Sequence, residues 1–141
     1  MIKEQVTVTG QVQCFLNGDL KDTQNLVVTV GKEWIAKRMC GTGAAITHMA
    51  VGSSGLASAA AQVALTSESF RKLLEVAGGQ ASGRVATFKA TFGAGEGTGT
   101  INEAALFDAA SGGTMLARSV VGPYTKGVND VLSVVWTVTI S

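Results

Sequence analysis

The chain has 141 residues, a length typical of one domain. Eleven Lys and Arg against ten Asp and Glu give a net charge of +1, spread evenly along the chain, which argues against nucleic acid as the main ligand because phosphate binding requires a clustered basic surface. With 46% apolar and 15% charged residues, a disordered chain is not expected. Apolar stretches stay shorter than the roughly 18 residues of a membrane helix, so no membrane partner is predicted.

The first segment predicts a β-strand. Apolar residues and one glycine occupy the even positions from 6 to 16, and polar residues occupy the odd positions up to 13. This alternation is typical of a strand buried on one face. Gly10 indicates a bulge or a close approach of another backbone, and Asn17-Gly18-Asp19 predicts a hairpin turn.

The next stretch predicts a second strand and a helix. Residues 25–30 are continuously apolar apart from Asn25 and Thr29 and predict a strand. Residues 31–39 change to helical spacing, which predicts a short helix with Trp34, Ile35 and Met39 on one side. Gly41 is placed to end it.

The rest of the chain predicts further strands separated by loops. We expect a strand at 45–51, an ordered loop with one helical turn at 52–64, and a hairpin of arms 70–77 and 84–92. The glycine-rich segment 93–99 predicts a loop because its backbone is so permissive. The remaining expected strands are 100–107, 114–121 and 131–140, with turns at 108–113 and 122–130.

The strand turns recur about every ten residues, which is typical of a sandwich or barrel. We therefore expect an all-β chain, in which residues 1–141 form one antiparallel β-sandwich or jelly-roll-like domain. The one short helix at 31–39 is expected to cover an open end. In the last strand, the even positions from Leu132 to Ile140 form an unbroken apolar face that includes Trp136, so this face is predicted to lie in the core.

Motifs that could carry chemistry are weak. The glycine-rich segment has neither the P-loop ending nor the dinucleotide-binding spacing, and a strand follows it. His48 stands alone as the one histidine, so the usual zinc ligand sets are out of reach and a half-buried structural role is expected. Ser53 and Ser54 lie in a GSSG run that is one residue short of a nucleophile elbow.

The acidic residues are equally unspecific. Asp19 and Asp22 lack the alternation of a calcium loop, and we interpret them as solubilising a hairpin. Glu96, Glu103 and Asp108 could be arranged as a glycosidase pair, but both Trp residues look like core and no aromatic platform for sugars is evident. We therefore predict no enzymatic activity, no catalytic residue, no cofactor and no metal.

Two cysteines are too few for a disulfide scaffold. Cys14 falls on an apolar strand face and Cys40 near a helix end. We interpret both as small packing residues, and pairing between them stays open.

The expected surface is unusual because many outward positions are Thr, Gln, Ser, Gly or Ala. A soluble domain usually carries about 25–35% charged residues on its surface. A surface of small uncharged residues can pack against a neighbour without desolvating charges. The pattern favours a subunit that binds other subunits, although a thermally robust monomer could look the same.

Four blocks, in order, resemble small virion structural proteins of tailed bacteriophages. They are NLVVTVGKEWIAKRM, ITHMAVGSSG, ATFKATFGAGEGTGTINEAALFD and GGTMLARSVVGPYTKGVNDVLSVVWTVTIS, which cover the chain from about residue 25 onward. The resemblance implies a β-sandwich module of a collar, tail-fibre-like, baseplate or decoration protein, working as an oligomer without cofactors. It transfers no catalytic residues.

The expected function is therefore structural. The chain is predicted to form a homo-oligomer and to bind another virion structural protein (capsid, portal or collar, or tail). Its predicted location is the virion, assembled in the cytoplasm of the bacterial host. The alternative is a module of a phage fibre that recognises host-surface glycan through Tyr124, Lys126 and Asn129.

Overall fold

The computed structural model describes residues 4–141, apart from the side chains of residues 21–24. The elements of this part of the chain are β1 (Val8–Leu16), β2 (Asp19–Gln24), β3 (Leu26–Val27), α1 (Thr29–Met39), β4 (His48–Gly52), β5 (Glu68–Leu73), β6 (Gln80–Ser82), β7 (Val85–Phe92), β8 (Gly99–Phe107), β9 (Met115–Lys126) and β10 (Leu132–Ile140).

The strands form two antiparallel five-stranded sheets. Sheet A has the order β2-β1-β10-β7-β6, and sheet B has the order β3-β9-β8-β4-β5. The predicted all-β class with one short helix is confirmed, and the two sheets are consistent with a β-sandwich.

The core lies between the sheets. Val12 of β1, Trp136 of β10 and Phe88 of β7 are neighbours in register across sheet A and point to the same side. They join one buried apolar cluster with residues of β4, β8 and β9 from sheet B. The predicted apolar face of the last strand is confirmed from Leu132 to Val138, whereas Ile140 at the strand end is exposed.

The close approach predicted at Gly10 is confirmed. A Cβ atom on this residue would overlap the side-chain amide of Asn25. The glycine therefore lets the segment before β3 pack directly on the backbone of β1, which places sheet B against sheet A at this edge.

Helix α1 confirms the predicted helix and begins two residues earlier. Gly31 packs so closely on β9 that a Cβ atom there would overlap the carbonyl oxygen of Leu116. At the other end Gly41 adopts φ +73°, and its N–H donates to Arg38 O at 3.0 Å, as expected of a glycine after a helix. Met39 was expected on the packed side, but it is 83% exposed.

The strand predicted at 25–30 is wrong in its bounds. Regular pairing covers Leu26–Val27, Val28 is the N-cap of α1, and the preceding strand is β2. A continuous apolar run does not distinguish a strand from the buried start of a helix. The strand predicted at 45–51 is shifted and begins at His48.

The predicted hairpin of 70–77 and 84–92 is also wrong. Its first arm, β5, pairs with β4 in sheet B, whereas its second arm, β7, pairs with β10 and β6 in sheet A. The chain crosses between the sheets after β5, where Glu75 N–H donates to Lys89 O at 2.9 Å. Alternation identifies a strand but does not identify its partner, so the crossing left no local signal.

The turn predicted at 122–130 is shorter than expected because β9 continues to Lys126 and pairs with Gly99. Gly122 and Pro123 are typical of a turn, yet they lie where the pairing of β8 and β9 shifts register between Ile101 and Glu103. The structure accommodates them as an irregularity inside a long strand.

Candidate functional site

The outer face of the three central strands of sheet A, β1, β10 and β7, carries one charged residue. The side chains opposite the core on β1, β10 and β7 stand in four cross-strand rows. These twelve residues, which we call the sheet A face, are Thr9, Gln11, Gln13, Phe15, Val85, Thr87, Lys89, Thr91, Ser133, Val135, Thr137 and Thr139. Eight of the twelve are Thr, Gln or Ser, which are among the residue types expected at outward positions.

The one charge on the sheet A face has a counter-charge. Lys89 Nζ lies 3.8 Å from Glu75 Oε2, with both side chains about half exposed. Next to the face, Leu20 of β2 pairs in register with Phe15 and is 51% exposed. A partner could therefore cover this surface and desolvate little charge, which is the composition found at interface centres.

The outer face of sheet B carries a buried ion pair. Glu103 of β8 and Arg118 of β9 are both fully buried, with Arg118 Nη2 donating to Glu103 Oε2 at 2.9 Å and Nε to the same oxygen at 3.0 Å. Because Arg118 pairs with Ala105, two residues from Glu103, the two side chains meet along a diagonal of the ladder.

This ion pair holds the segment of residues 53–67, which we call the 53–67 loop. Backbone N–H groups of Thr66 and Ser67 donate to the Glu103 carboxylate at 3.0 and 2.7 Å. Arg118 Nη1 donates to Leu56 O at 2.8 Å and to Ser58 Oγ at 3.0 Å. The loop backbone thus satisfies charges that would be costly to bury alone.

The 53–67 loop also covers apolar side chains. Leu65 packs with Ala50, Ala105, Phe107 and Met115 in a second buried cluster on the outer side of sheet B. Leu56 and Val63 of the same loop point away and are 64% and 59% exposed. One outer face of the sandwich is therefore covered by its own chain, whereas no described segment covers the sheet A face in this way.

The sequence did not identify the Glu103–Arg118 pair as a unit. Glu103 was considered as a possible catalytic acid, and Arg118 was not singled out. The available signal was one acidic and one basic residue, each placed in an otherwise apolar strand, since charged residues are rarely buried unless they are paired.

The glycine-rich loop at 93–99 is tied to the body of the protein. Glu96 accepts hydrogen bonds from Lys72 Nζ at 2.6 Å and from Gly93 N–H at 2.9 Å, and Lys126 Nζ donates to Gly93 O at 2.7 Å. The bond from Lys72 and then the Gly93 N–H lower the pKa of Glu96 below its usual value. These contacts explain the loop as a fixed connection between β7 and β8.

The alternative glycan ligands are not brought together at the surface. Tyr124 and Lys126 both belong to β9 and are buried, while Asn129 in the following turn is exposed. The turn itself is closed by Asp130, whose carboxylate accepts from Asn17 Nδ2 at 2.9 Å and from Gly127 N–H at 2.6 Å. These two bonds lower the pKa of Asp130.

His48 and Asp108, which the sequence analysis considered as possible functional residues, make structural contacts. His48 is half-buried, with Nδ1 2.7 Å from Thr47 Oγ1, and its pKa is lowered by burial and then by the nearby charge of Arg71. Asp108 accepts from Thr114 N–H at 2.6 Å.

Ser53 and Ser54 are held by hydrogen bonds from their backbone N–H groups. Ser53 N–H donates to Ser67 O at 3.0 Å, and Ser54 N–H reaches Glu103 Oε1 at 3.4 Å. Asp19 is exposed, and the side chain of Asp22 lies outside the described residues.

The two cysteines are both free, and their surroundings differ. Cys14 is buried and lies against Tyr124, and burial, followed by this thiol, raises the pKa of Tyr124 to about 12. Cys40 is exposed just after α1, so the expectation that it is a small packing residue is wrong.

An apolar pocket of about 320 Å³ opens between α1 and the end of sheet A. Trp34 and Ile35 of α1 form one wall, and the other wall comes from β6, β7 and β10. The indole N–H of Trp34 donates to Ala44 O at 2.7 Å, which fixes the ring. One side of the pocket is lined by the small residues Gly78, Ala81 and Gly83, which do not fill its volume.

Among the described residues, no group of three or more His, Cys, Asp and Glu side chains is arranged to bind a metal ion. Within the same part of the chain, no helix has the length and apolarity needed to cross a membrane.

Comparison with known proteins adds no relative. No family model, no curated protein and no solved structure matches the chain. The resemblance to phage virion proteins stays a prediction from the four sequence blocks.

Proposed function

We propose that this protein is a non-enzymatic structural subunit of a tailed-phage virion that associates with copies of itself and with another virion protein. The observation that carries the proposal is the sheet A face, where twelve neighbouring positions include one charge, Lys89. A three-strand surface with a single charge favours association, because a partner can exclude water from it at little electrostatic cost.

The difference between the two outer faces of the sandwich supports the same role. The outer side of sheet B is sealed by the 53–67 loop and its ion pair, whereas the sheet A face has no such cover from the described residues. Sheets that stack face to face lie about 10 Å apart, so an uncovered face of this kind can receive the sheet of another copy. The virion assignment comes from the sequence blocks, and the collar, tail or capsid accessory position is the leading placement.

The test is an oligomeric-state measurement with charges added to the face. The double variant Gln11→Glu/Gln13→Glu changes no side-chain size and places two negative charges on β1. We expect the wild-type chain to form a defined oligomer in sedimentation or light scattering. Its association constant should fall at least about tenfold in this variant.

A matched control is Val128→Glu/Asn129→Asp, which adds the same charge at two exposed positions in the turn after β9, outside the face. It should associate like the wild type. A wild-type monomer at high micromolar concentration that also fails to bind virion particles would refute the structural role. Particles assembled without the chain should lose an ordered ring or knob in electron micrographs. Particles that assemble normally without it but fail to adsorb to cells would favour the glycan-binding alternative.

A further inference from the structure

We propose that copies of this chain associate head to tail, with the exposed part of the 53–67 loop of one copy inserted into the apolar pocket beneath α1 of the next. The inference rests on the proposed function, since it names a partner for a subunit that self-associates. It concerns two surfaces outside the sheet A face.

The pocket is built to receive an apolar group. Its walls include Trp34, Phe88, Leu116 and Val138, and its volume of about 320 Å³ holds on the order of ten water-sized groups. That space suits a branched side chain together with its small neighbours. Gly78, Ala81 and Gly83, in and beside β6, have small side chains or none. They leave room on that side of the pocket for a segment of backbone to approach.

The pocket walls are fixed before anything binds. Gly31 brings α1 into direct contact with the backbone of Leu116, and the Trp34 indole is held by Ala44 O. A preformed site loses little conformational entropy when it is occupied.

The 53–67 loop is the apolar segment of this chain best suited to the pocket. Its exposed Leu56 and Val63 are flanked only by uncharged residues, because no Lys, Arg, Asp or Glu occurs between Arg38 and Glu68. Other strongly exposed apolar side chains of the described residues lie within two positions of a charge, which insertion would desolvate at high cost; they include Leu20, Met39, Leu73 and Val128.

The loop is also rigid enough to act as an insert. Its backbone is fastened at Leu56 O by Arg118 and at Ser67 N–H by Glu103, while Leu56 itself points outward. Residues 57–61 are Ala or Ser, so the side chains next to Leu56 are small and occupy little space. Arg84 borders the pocket, and its guanidinium can donate to the carbonyl oxygens of such a loop.

A loop and a pocket on different surfaces of one chain make a heterologous contact. Each copy then has one free loop and one free pocket, so association continues until a ring closes or a filament grows. Such a contact differs from a face-to-face pairing of the sheet A face, which stops at two copies.

The experiment damages each side of the contact separately. Leu56→Glu places a charge on the exposed tip of the loop, and Ala81→Glu places one at the pocket. Each variant alone should associate at least about tenfold more weakly than the wild type. Val128→Glu, at an equally exposed apolar side chain in the turn after β9, is the matched control and should associate normally.

Mixing the two variants gives the decisive result. Both chains also carry Gln11→Glu/Gln13→Glu, so that the sheet A face does not pair. An intact loop on the Ala81→Glu chain can then enter the intact pocket of the Leu56→Glu chain, and the mixture should form species of two chains and no larger. Thermal unfolding of each variant shows that it is folded. If both variants assemble like the wild type, the loop–pocket contact is refuted while self-association stands. If the wild type is a monomer, self-association itself fails.

Discussion

Glu103 and Arg118 lie on neighbouring strands of sheet B, and Oε2 of Glu103 accepts two hydrogen bonds from the Arg118 guanidinium at 2.9 and 3.0 Å. Both side chains are fully buried. The three backbone N–H groups that also reach the carboxylate belong to the two ends of the 53–67 loop. A single buried pair therefore closes a loop of fifteen residues over the outer face of the sheet.

Breaking this pair should be strongly destabilising. Glu103→Gln leaves the Arg118 charge buried without a counter-charge, so we expect the free energy of unfolding to fall by about 3–5 kcal/mol. Urea unfolding followed by circular dichroism measures the change. Glu75→Gln removes an exposed partner of Lys89 and should cost about 1 kcal/mol or less. If both variants lost the same free energy of unfolding, the buried pair would not contribute more to stability than the exposed pair, contrary to this prediction.

The same loop shows what the sequence could and could not predict. Residues 52–64 were expected to form an ordered loop with one helical turn; the loop is found from residue 53 onward, Gly52 ends β4, and residues 53–64 form no helix. What holds it was not predictable, because the anchors lie 36 and 37 residues away from Ser67 and Thr66. Local patterns describe which residues form an element, but a hydrogen bond between distant residues follows from the sheet topology.

The strands, too, were predictable from the sequence in part. The alternating segments that became β1, β7 and β10 were identified from period-2 patterns, and the apolar face centred on Trp136 was predicted from the sequence. The crossing after β5 was missed because arms 70–77 and 84–92 were expected to pair in one hairpin, which would put Phe70 and Phe92, whose rings meet edge to face at 6.2 Å, in the same sheet. They instead pack across the core from different sheets.

Trp136 should be among the most costly core residues to truncate. It is fully buried between Val12 and Phe88 in sheet A, and Trp136→Ala is expected to lower the free energy of unfolding by about 3–5 kcal/mol. No partner for its indole N–H is found among the described residues, so Trp136→Phe removes an unsatisfied donor and should cost less than half as much. Val135→Ala, on the sheet A face, is the control and should cost about 1 kcal/mol or less. A loss near zero for Trp136→Ala would contradict this placement.

Tyr124 gives a direct optical test of burial because it is the one tyrosine in the chain. Burial, and then the Cys14 thiol, raises its pKa from 10.0 to about 12. The folded state thus favours the neutral phenol, and the stability this contributes is complete below pH 10 and is lost as the pH rises towards 12.

The ultraviolet absorbance of the phenolate, titrated in the folded protein, should therefore have its midpoint near 12. The unfolded chain in denaturant is the internal control, and its midpoint should lie near 10. Tyr124→Phe should abolish the signal and remove part of the alkaline loss of stability. A folded-state midpoint near 10 would place the hydroxyl in water and contradict the packing of β9.

The two thiols should react at very different rates, because Cys40 is exposed and Cys14 is buried in the core. A chromogenic thiol reagent should modify one thiol per native chain quickly and the second only after unfolding, since reactivity requires access to the thiolate. Cys40→Ser should eliminate the fast reaction, whereas Cys14→Ala should retain it. If neither thiol reacts in the native protein under non-reducing conditions and both react after reduction and unfolding, the cysteines are paired, and the separate positions assigned to β1 and to the end of α1 are wrong.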